Sequence, residues 1–446
     1  LEKLAGHPLP AKRLLAAQTL RRFGSQGFES LLEKLLDDPE IKVRREALLA
    51  AGTGKQNTNW FKVINAMKNP STRAQAAQAL EMGGEASLPF IAITLTQTDF
   101  SKAALRKLIH VCGNIRGASV IAMLEPHIGH TDSDLREAVL AALAECGYRA
   151  DPVNGQSQAQ VKYETEHVRM LYSALREIES KDEMNLLAQA IRIEIYHARE
   201  RLFHLLSFMY DRKAVTNARR VILRKDAAKI PYAIETLDTI LPRDVKLIML
   251  PLAEELAAVD ACKRLGISEK VSMQELAEQS QGWLALCART MMENGETKMH
   301  STVEKVLILR SVNLFKATPD DALAELSELL TEMEMPAGKN IVEKGEQGNS
   351  MFIIVSGKVA VMDGERVLNT LGERAVFGEL ALLDTEPRTA TIRALEDTLV
   401  FRLDQEPFYE LMSDRVEVAM GTIQMLTGNL RARVREVIDL REELGK

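Results

Sequence analysis

Short, alanine-rich helical segments that close on a glycine recur along the first 150 residues of this chain. They read KRLLAAQTLRRFG (12–24), VRREALLAAG (43–52), TRAQAAQALEMGG (72–84), LRKLIHVCG (105–113) and LREAVLAALAECG (135–147). Each carries an arginine near its start, and the closing glycines Gly24, Gly52, Gly83, Gly113 and Gly147 lie 28, 31, 30 and 34 residues apart. A glycine at such a place suits the left-handed cap that ends a helix. Second apolar helices, Phe28–Leu36 and Ser87–Leu95, fall between them. A two-helix unit of this size cannot bury its own apolar face, so it stacks on its neighbours. The spacing predicts a right-handed stack of antiparallel helix pairs over 1–150, without β-structure.

This pattern resembles HEAT-type repeats. The resemblance implies that an arginine after an acidic turn (Asp38–Arg44, Asp132–Arg136) ties adjacent repeats together, and it implies a scaffold without naming its partner. Residues 149–160, RADPVNGQSQAQ, read as a linker, because they are polar and contain Pro152 and Gly155. A second helical block, 161–304, follows with apolar-periodic stretches at Glu164–Ile178, Asn185–Met209 and Ala233–Ile240. Two helices joined at a proline in 216–256 suggest that HEAT-like repeats resume. Its basic cluster, Arg219, Arg220, Arg224, Lys225 and Lys229, reads first as a solvated helix face and second as a contact for phosphates. His127 and His130 read as surface histidines.

Composition narrows the function classes. At 446 residues the chain is too long for one core. Its net charge of −6 argues against a dedicated nucleic-acid binder. No run approaches the ~18–20 apolar residues of a membrane span; the greasiest stretch, Leu247–Leu252, is closed by Lys246 and Glu254. Cys112, Cys146, Cys262 and Cys287 form no C-x-x-C pair and read as buried thiols of a reducing cytosol. There is no nucleophile elbow, H-E-x-x-H, Walker loop or dinucleotide fingerprint, so no catalytic or metal-binding residue is assigned and no enzyme is expected.

The texture changes after Asp320. Strand patterns at Asn340–Val342, Met351–Ser356, Lys358–Met362 and Arg366–Leu371 alternate with glycines at 345, 348, 357 and 372, and Asp363-Gly364 is a two-residue hairpin signal. These predict a small antiparallel β-roll with flanking helices. The segment FGELALLDTEPRTATIRA (377–394) carries the chemistry. Gly378 lets backbone approach a ligand closely, and Glu379–Leu383 form a helical turn whose first N–H groups attract an anion. Arg388 offers a planar fork to two phosphate oxygens, and Thr389 adds a hydroxyl. Glu379 suits a ribose hydroxyl. A phosphate with a neighbouring 2′-hydroxyl is what a cyclic nucleotide presents.

The segment closely resembles the phosphate-binding cassette of cyclic-nucleotide-binding domains, F-G-E-L-A-L-L followed by P-R-(A/S/T)-A, within about 130 similar residues that include EKGEQGNSMFIIVSGKV (343–359). The resemblance implies that Glu379 binds the ribose and Arg388 the cyclic phosphate. Gly378, Leu380, Ala381, Thr389 and Ala390 complete the cradle. It implies a ligand, cAMP or cGMP, and no cofactor. Thr389 leaves the base open, since similar domains with Thr there take either purine. The domain is expected to span 305–446, with its last helix as a lid. Val416, Ile423, Leu430 and Val437 recur every seven residues, with Met420, Thr427 and Val434 at the complementary spacing, which predicts a homodimer through that helix. The alternative is that the stripe packs on the roll. Gly421 and Gly428 weaken the helix by ~1 kcal/mol each.

Transcription factors with this domain continue into a helix-turn-helix. The sequence here stops at Lys446 directly after the last helix, so DNA is not expected as a partner. The order of parts, with ARERLFHLLSFMYD (198–211) and AIETLDTILPRDVKLIMLPL (233–252), resembles the cytoplasmic tail of bacterial transporters like ATP:ADP antiporters or major-facilitator carriers. That resemblance implies a missing membrane domain before Leu1 and a place at the cytosolic face of the bacterial inner membrane. A soluble adaptor that docks a protein partner under nucleotide control, or an enzyme in 160–300 gated by the sensor, are the alternatives.

Overall fold

The computed structural model describes residues 1–54, 59–153, 155–179, 186–224, 226, 228–292, 301–384, 387–428 and 431. It divides into two compact units, Leu1–Ala288 and Arg289–Lys446.

The first unit is helical, with no strand among its described residues. After α1 (Glu2–Ala5), helices follow in pairs: α2 (Pro10–Phe23) with α3 (Glu29–Leu36), α4 (Ile41–Thr53) with α5 (Trp60–Ala66), α6 (Pro70–Gly83) with α7 (Leu88–Leu95), and α8 (Lys102–Ile115) with α9 (Ala118–Leu124). Then come α10 (Ser133–Glu145), α11 (Gln156–Glu179) and α12 (Leu186–Met209). The first helices of successive pairs form one layer, α2 on α4, α4 on α6, α6 on α8 and α8 on α10; α5, α7 and α9 form another.

The recurrent arginine has a repeated task. Arg13 donates to the His7 and Pro8 carbonyls, Arg44 to those of Asp38 and Pro39, Arg73 to Met67, and Arg136 to His130 and Thr131. In each case a guanidinium in the first turn takes carbonyls five or six residues back, closing the loop that enters its helix. Cations near these starts also reach forward: Arg13 pairs with Asp38 at 2.6 Å, Lys102 with Asp132 and Asp134, and Arg136 with Glu164 at 2.9 Å.

Two of the five closing glycines, Gly24 (φ 91°) and Gly147 (φ 76°), hold a positive-φ conformation. The other three differ from expectation. Gly52 and Gly113 sit inside α4 and α8, where an added Cβ would stand 2.7 Å from the Ala79 Cα and 3.1 Å from the Ala142 Cα. Gly83 ends α6 against the Trp60 ring, and the cap falls on Gly84 (φ 55°). Gly52 and Gly113 are small so that the next helix of the layer can come close, and Gly83 so that the Trp60 ring of the preceding helix can.

Residues 149–160 are an internal connection of this unit and not a division between 1–150 and 161–304. A charge cluster buried among α10, α11 and α12 spans it. Glu164, 0% exposed, accepts from Arg136 at 2.9 Å and from Arg201 at 3.0 Å. Arg201, 1% exposed, also donates to Glu194 at 2.8 Å, and His197 meets Glu137 at 3.0 Å. Burial opposes ionisation of Glu194, but the Arg201 charge and the His167 bond win and hold its carboxyl at about 2. Beyond this cluster α13 (Arg212–Leu223), α14 (Ile230–Ile240) and α15 (Arg243–Ala253) continue the chain, and α16 (Ala258–Leu265) and α17 (Met273–Gln279) return onto α11 before α18 (Gly282–Met292). The basic cluster on α13 is partly neutralised at home: Arg219 pairs with buried Glu200 at 2.7 Å and Lys229 with Asp226 at 2.9 Å, while Lys225 lies outside the described residues. The His130 ring accepts the Asp132 N–H at 3.1 Å. Cys112, Cys262 and Cys287 are buried, and burial pushes the Cys112 thiol up to about 12.

The second unit begins with α19 (Thr302–Ser311) and α20 (Asp320–Glu328) and continues as two four-stranded antiparallel sheets, ordered β1-β8-β3-β6 and β2-β7-β4-β5. The strands are β1 (Thr331–Met335), β2 (Asn340–Val342), β3 (Ser350–Ser356), β4 (Val359–Asp363), β5 (Arg366–Leu371), β6 (Val376–Phe377), β7 (Thr391–Ala394) and β8 (Thr398–Asp404). The apolar run of β3 is buried between β6 and β8. Phe352, Ile354, Val359, Phe377, Ile392 and Val400 belong to the core between strands. The β4–β5 hairpin turns at Gly364-Glu365, because Asp363 pairs with Arg366, one residue later than the Asp-Gly signal suggests. α21 (Leu380–Leu383) lies in the cassette, and α22 (Gln405–Asp414) follows β8.

A last helix runs over 416–428 after a break at Arg415. Arg415 bonds Glu325 at 2.5 Å and also Asp321, holding the break to α20. Val418 and Thr422 are buried, and Gly421 lets the helix approach Thr318, whose Oγ1 would stand 3.0 Å from a Cβ. Val416, Met420 and Ile423, the seven-residue stripe, face outward, so that stripe does not pack on the roll. Leu430, Val434 and Val437 lie outside the described residues.

Three outcomes follow for stability. Gly52→Ala destabilises the chain, although glycine-to-alanine in an open helix gains up to ~1 kcal/mol, whereas Gly428→Ala, with nothing within 4 Å, stabilises it; urea unfolding gives both signs. Glu164→Ala costs about 3–5 kcal/mol in the same measurement, because it strands two buried guanidinium groups. His204, pushed down to about 4 by burial and the nearby Arg219 charge, folds neutral while the unfolded chain protonates it near 6.5. Its contribution is present above pH 6.5 and lost as pH falls toward 4. The melting temperature of His204→Leu therefore falls less than that of the parent over that window.

Candidate functional site

Three segments of the second unit meet around Arg388. The segment after Pro387 returns beside 345–347: Pro387 bridges Gln347, the Arg388 N–H donates to the Glu346 carbonyl and the Gly345 N–H to the Arg388 carbonyl, both at 2.8 Å. Three residues on, the Thr391 hydroxyl accepts the Lys344 N–H at 3.0 Å. This ladder fixes the arginine's Cα, and the start of β3 fixes its tip. Nη2 donates to the Ser350 carbonyl at 2.7 Å and to its hydroxyl at 3.2 Å. The guanidinium carbon lies 5.9 Å from the centre of the Phe352 ring, which itself stacks on Phe377 at 5.0 Å.

The other amino group is the informative one. Arg388 Nη1 is buried and has no hydrogen-bond partner among the described residues. Burial lowers the pKa of this guanidinium, the Glu346 charge pulls it back up, and Arg402 lowers it further. An arginine stays ionised under such a shift. A buried cation with an unused donor is costly unless an anion completes it.

Gly378 makes room for that cation. It has φ 75°, and an added Cβ would stand 2.4 Å from Arg388 Nη1 and 3.1 Å from the Ser350 carbonyl. Both the conformation and the space demand glycine. Gly378 and Arg388, ten residues apart in the sequence, are thus in contact. Glu379 and Thr389 are exposed beside them, Ala390 is half-buried, and Leu380 opens α21. Ala381 is buried, and its N–H donates to the Gly378 carbonyl at 3.1 Å, so this donor closes the turn. Sequence reasoning missed Ser350, whose position at the first residue of a buried strand gives no signal of a polar task. It also missed Gln405 and Tyr409 on α22, which bond the carbonyls of α21.

Comparison with known proteins agrees with this geometry. Residues 332–415 match the cyclic nucleotide-binding domain family. The chain is 29% identical over 138 residues to a CRP-like cAMP-activated global transcriptional regulator of Mycobacterium tuberculosis, covering 30% of this chain and 62% of that one. It is 33% identical over 137 residues to a cyclic nucleotide-gated potassium channel of Rhizobium etli, covering 31% and 38%. Among solved structures, the regulatory domain of Toxoplasma gondii PKA with cAMP is 28% identical, covering 26% of this chain and 46% of that one, with a TM-score of 0.24. The chain therefore spans less than two thirds of the curated relatives it matches, and each similarity is confined to about a third of its own length or less. Residues 332–415 are a cyclic nucleotide-binding domain.

Proposed function

We propose that this chain is a regulatory region that binds cAMP or cGMP in its second unit and relays occupancy through a HEAT-like scaffold to an attached membrane transporter. The observation that carries the ligand assignment is the buried, unpartnered Nη1 of Arg388 in the notch left by Gly378. In this reading Nη1 takes a cyclic-phosphate oxygen while Ser350 keeps Nη2 occupied. Glu379, exposed and next to Gly378, accepts from the ribose 2′-hydroxyl. The backbone of Gly378 and Leu380 and the Thr389–Ala390 segment close around the phosphate.

The scaffold reading is supported by the repeated arginine-to-carbonyl contacts and by the layering of α2, α4, α6, α8 and α10. The transporter reading is supported by the order of repeats, second helical block and sensor. No helix among the described residues is long and apolar enough to cross a membrane. The soluble adaptor is the second reading. It is favoured by the exposed Phe61 and Ile93, with the Phe61 ring edge-on to Phe90 at 4.9 Å. In both readings Val416, Met420 and Ile423 supply a seam for a second copy of the chain.

Calorimetry of the full chain with cAMP and with cGMP tests the site. Binding of at least one is expected, with Arg388→Ala weakening it at least tenfold, within the ~2–5 kcal/mol that removing one partner of a buried charge pair costs. Glu379→Ala weakens it without lowering the melting temperature of the free chain. No heat and no melting shift with either nucleotide at millimolar concentration would refute the assignment. Sedimentation tests the seam: the parent chain dimerises at high micromolar concentration, and Ile423→Glu is monomeric.

A further inference from the structure

We infer that Gln405 and Tyr409 are positioning residues of the ligand site, holding α21 by its carbonyl end while its other end faces the nucleotide. The inference rests on the ligand assignment above and adds residues that lie outside the cassette. A four-residue helix leaves its last carbonyls without intrahelical partners. Here two side chains one turn apart on α22 supply them. Gln405 Nε2 donates to the Ala381 and Leu382 carbonyls, both at 3.2 Å, and the Tyr409 hydroxyl donates to the Leu383 carbonyl at 2.7 Å. The two side chains also approach each other at 3.4 Å.

Gln405 has a second attachment that gives the contact its meaning. Its own N–H donates to the Asn349 carbonyl at 2.9 Å, and the next residue, Ser350, anchors Nη2 of Arg388. One residue therefore fixes the helical turn and the cation's anchor to a common frame. A binding constellation needs its parts held within about 0.5 Å. The masking of α21's end by Gln405 and Tyr409 provides that constraint from across the roll. Tyr409 is 39% exposed, so burial of its ring does not account for its position.

The test is nucleotide titration of the full chain by calorimetry, using whichever of cAMP and cGMP the parent binds. Gln405→Leu/Tyr409→Phe keeps size and ring but removes every donor to α21. It is expected to bind at least tenfold more weakly, with the melting temperature of the free chain unchanged. Gln405→Glu adds a readout that a general packing defect would not give. As a carboxylate it faces the two carbonyls without a hydrogen; protonated, it regains a donor. Its affinity relative to the parent should be at least tenfold down at pH 7.5 and recover progressively as pH falls through the range where a glutamate titrates, about 4 to 5. Binding by the double variant within twofold of the parent, or a Gln405→Glu deficit independent of pH, would overturn the inference while leaving the ligand assignment intact. A parent chain that binds neither nucleotide would remove the assignment, and this inference with it.

Discussion

Between stacked helices the loop carbonyls turn away from water, and an arginine in the first turn of the next helix takes them up. Arg13, Arg44, Arg73 and Arg136 each do this, the first two and the last through a single amino group, Nη1, that donates to two successive carbonyls, and Arg73 through Nε to one. The contact fixes where each helix begins, and so where its small-residue face lies. Gly52 against Ala79 and Gly113 against Ala142 then bring neighbouring helices close. In α10 the corresponding arginine, Arg136, also turns its Nε to Glu164 and opens the buried charge cluster that carries the unit past 149–160.

The same requirement operates in the second unit with the opposite outcome. Arg388 is held by backbone on both sides and by Ser350 at one amino group, and the protein stops there. In the first unit every described partner of Arg201 is a carboxylate of the chain itself; at Arg388 the chain supplies carbonyl and hydroxyl oxygens and leaves one donor unmatched. That asymmetry is what the ligand assignment proposed for Arg388 rests on.

Much of this was legible from residue order, and the limits have physical causes. The glycine spacing located the helices, but a closing glycine reads alike whether it caps a helix or clears space, and three of five clear space or precede the cap. The polar run 149–160 has the composition of a linker, while the charges that bridge it, Arg136 and Glu164, are 28 residues apart and read as surface until paired. In the roll, Gly378 and Arg388 were found because both lie in one short motif. Ser350, Gln405 and Tyr409 escaped because their partners are backbone carbonyls, which leave no trace in a side-chain pattern. The hairpin turn was displaced by one residue because register, set by Asp363 opposite Arg366, and not dipeptide preference, decides where the chain reverses.

Arg415 occupies the break between α22 and the final helix and is clamped by two carboxylates of α20, whose attraction keeps its guanidinium ionised against burial. A joint pinned at that point restricts what the helix beyond it can do. Sliding along its axis would break both ion pairs, while swinging about the pin keeps them. The thirteen described residues 416–428, at 1.5 Å each, span about 20 Å. A tilt of about 10° at the joint carries residue 428 roughly 3 Å sideways by that same geometry. The Gly421 notch at Thr318, about two fifths of the way along, sets the resting angle from which any such swing is measured.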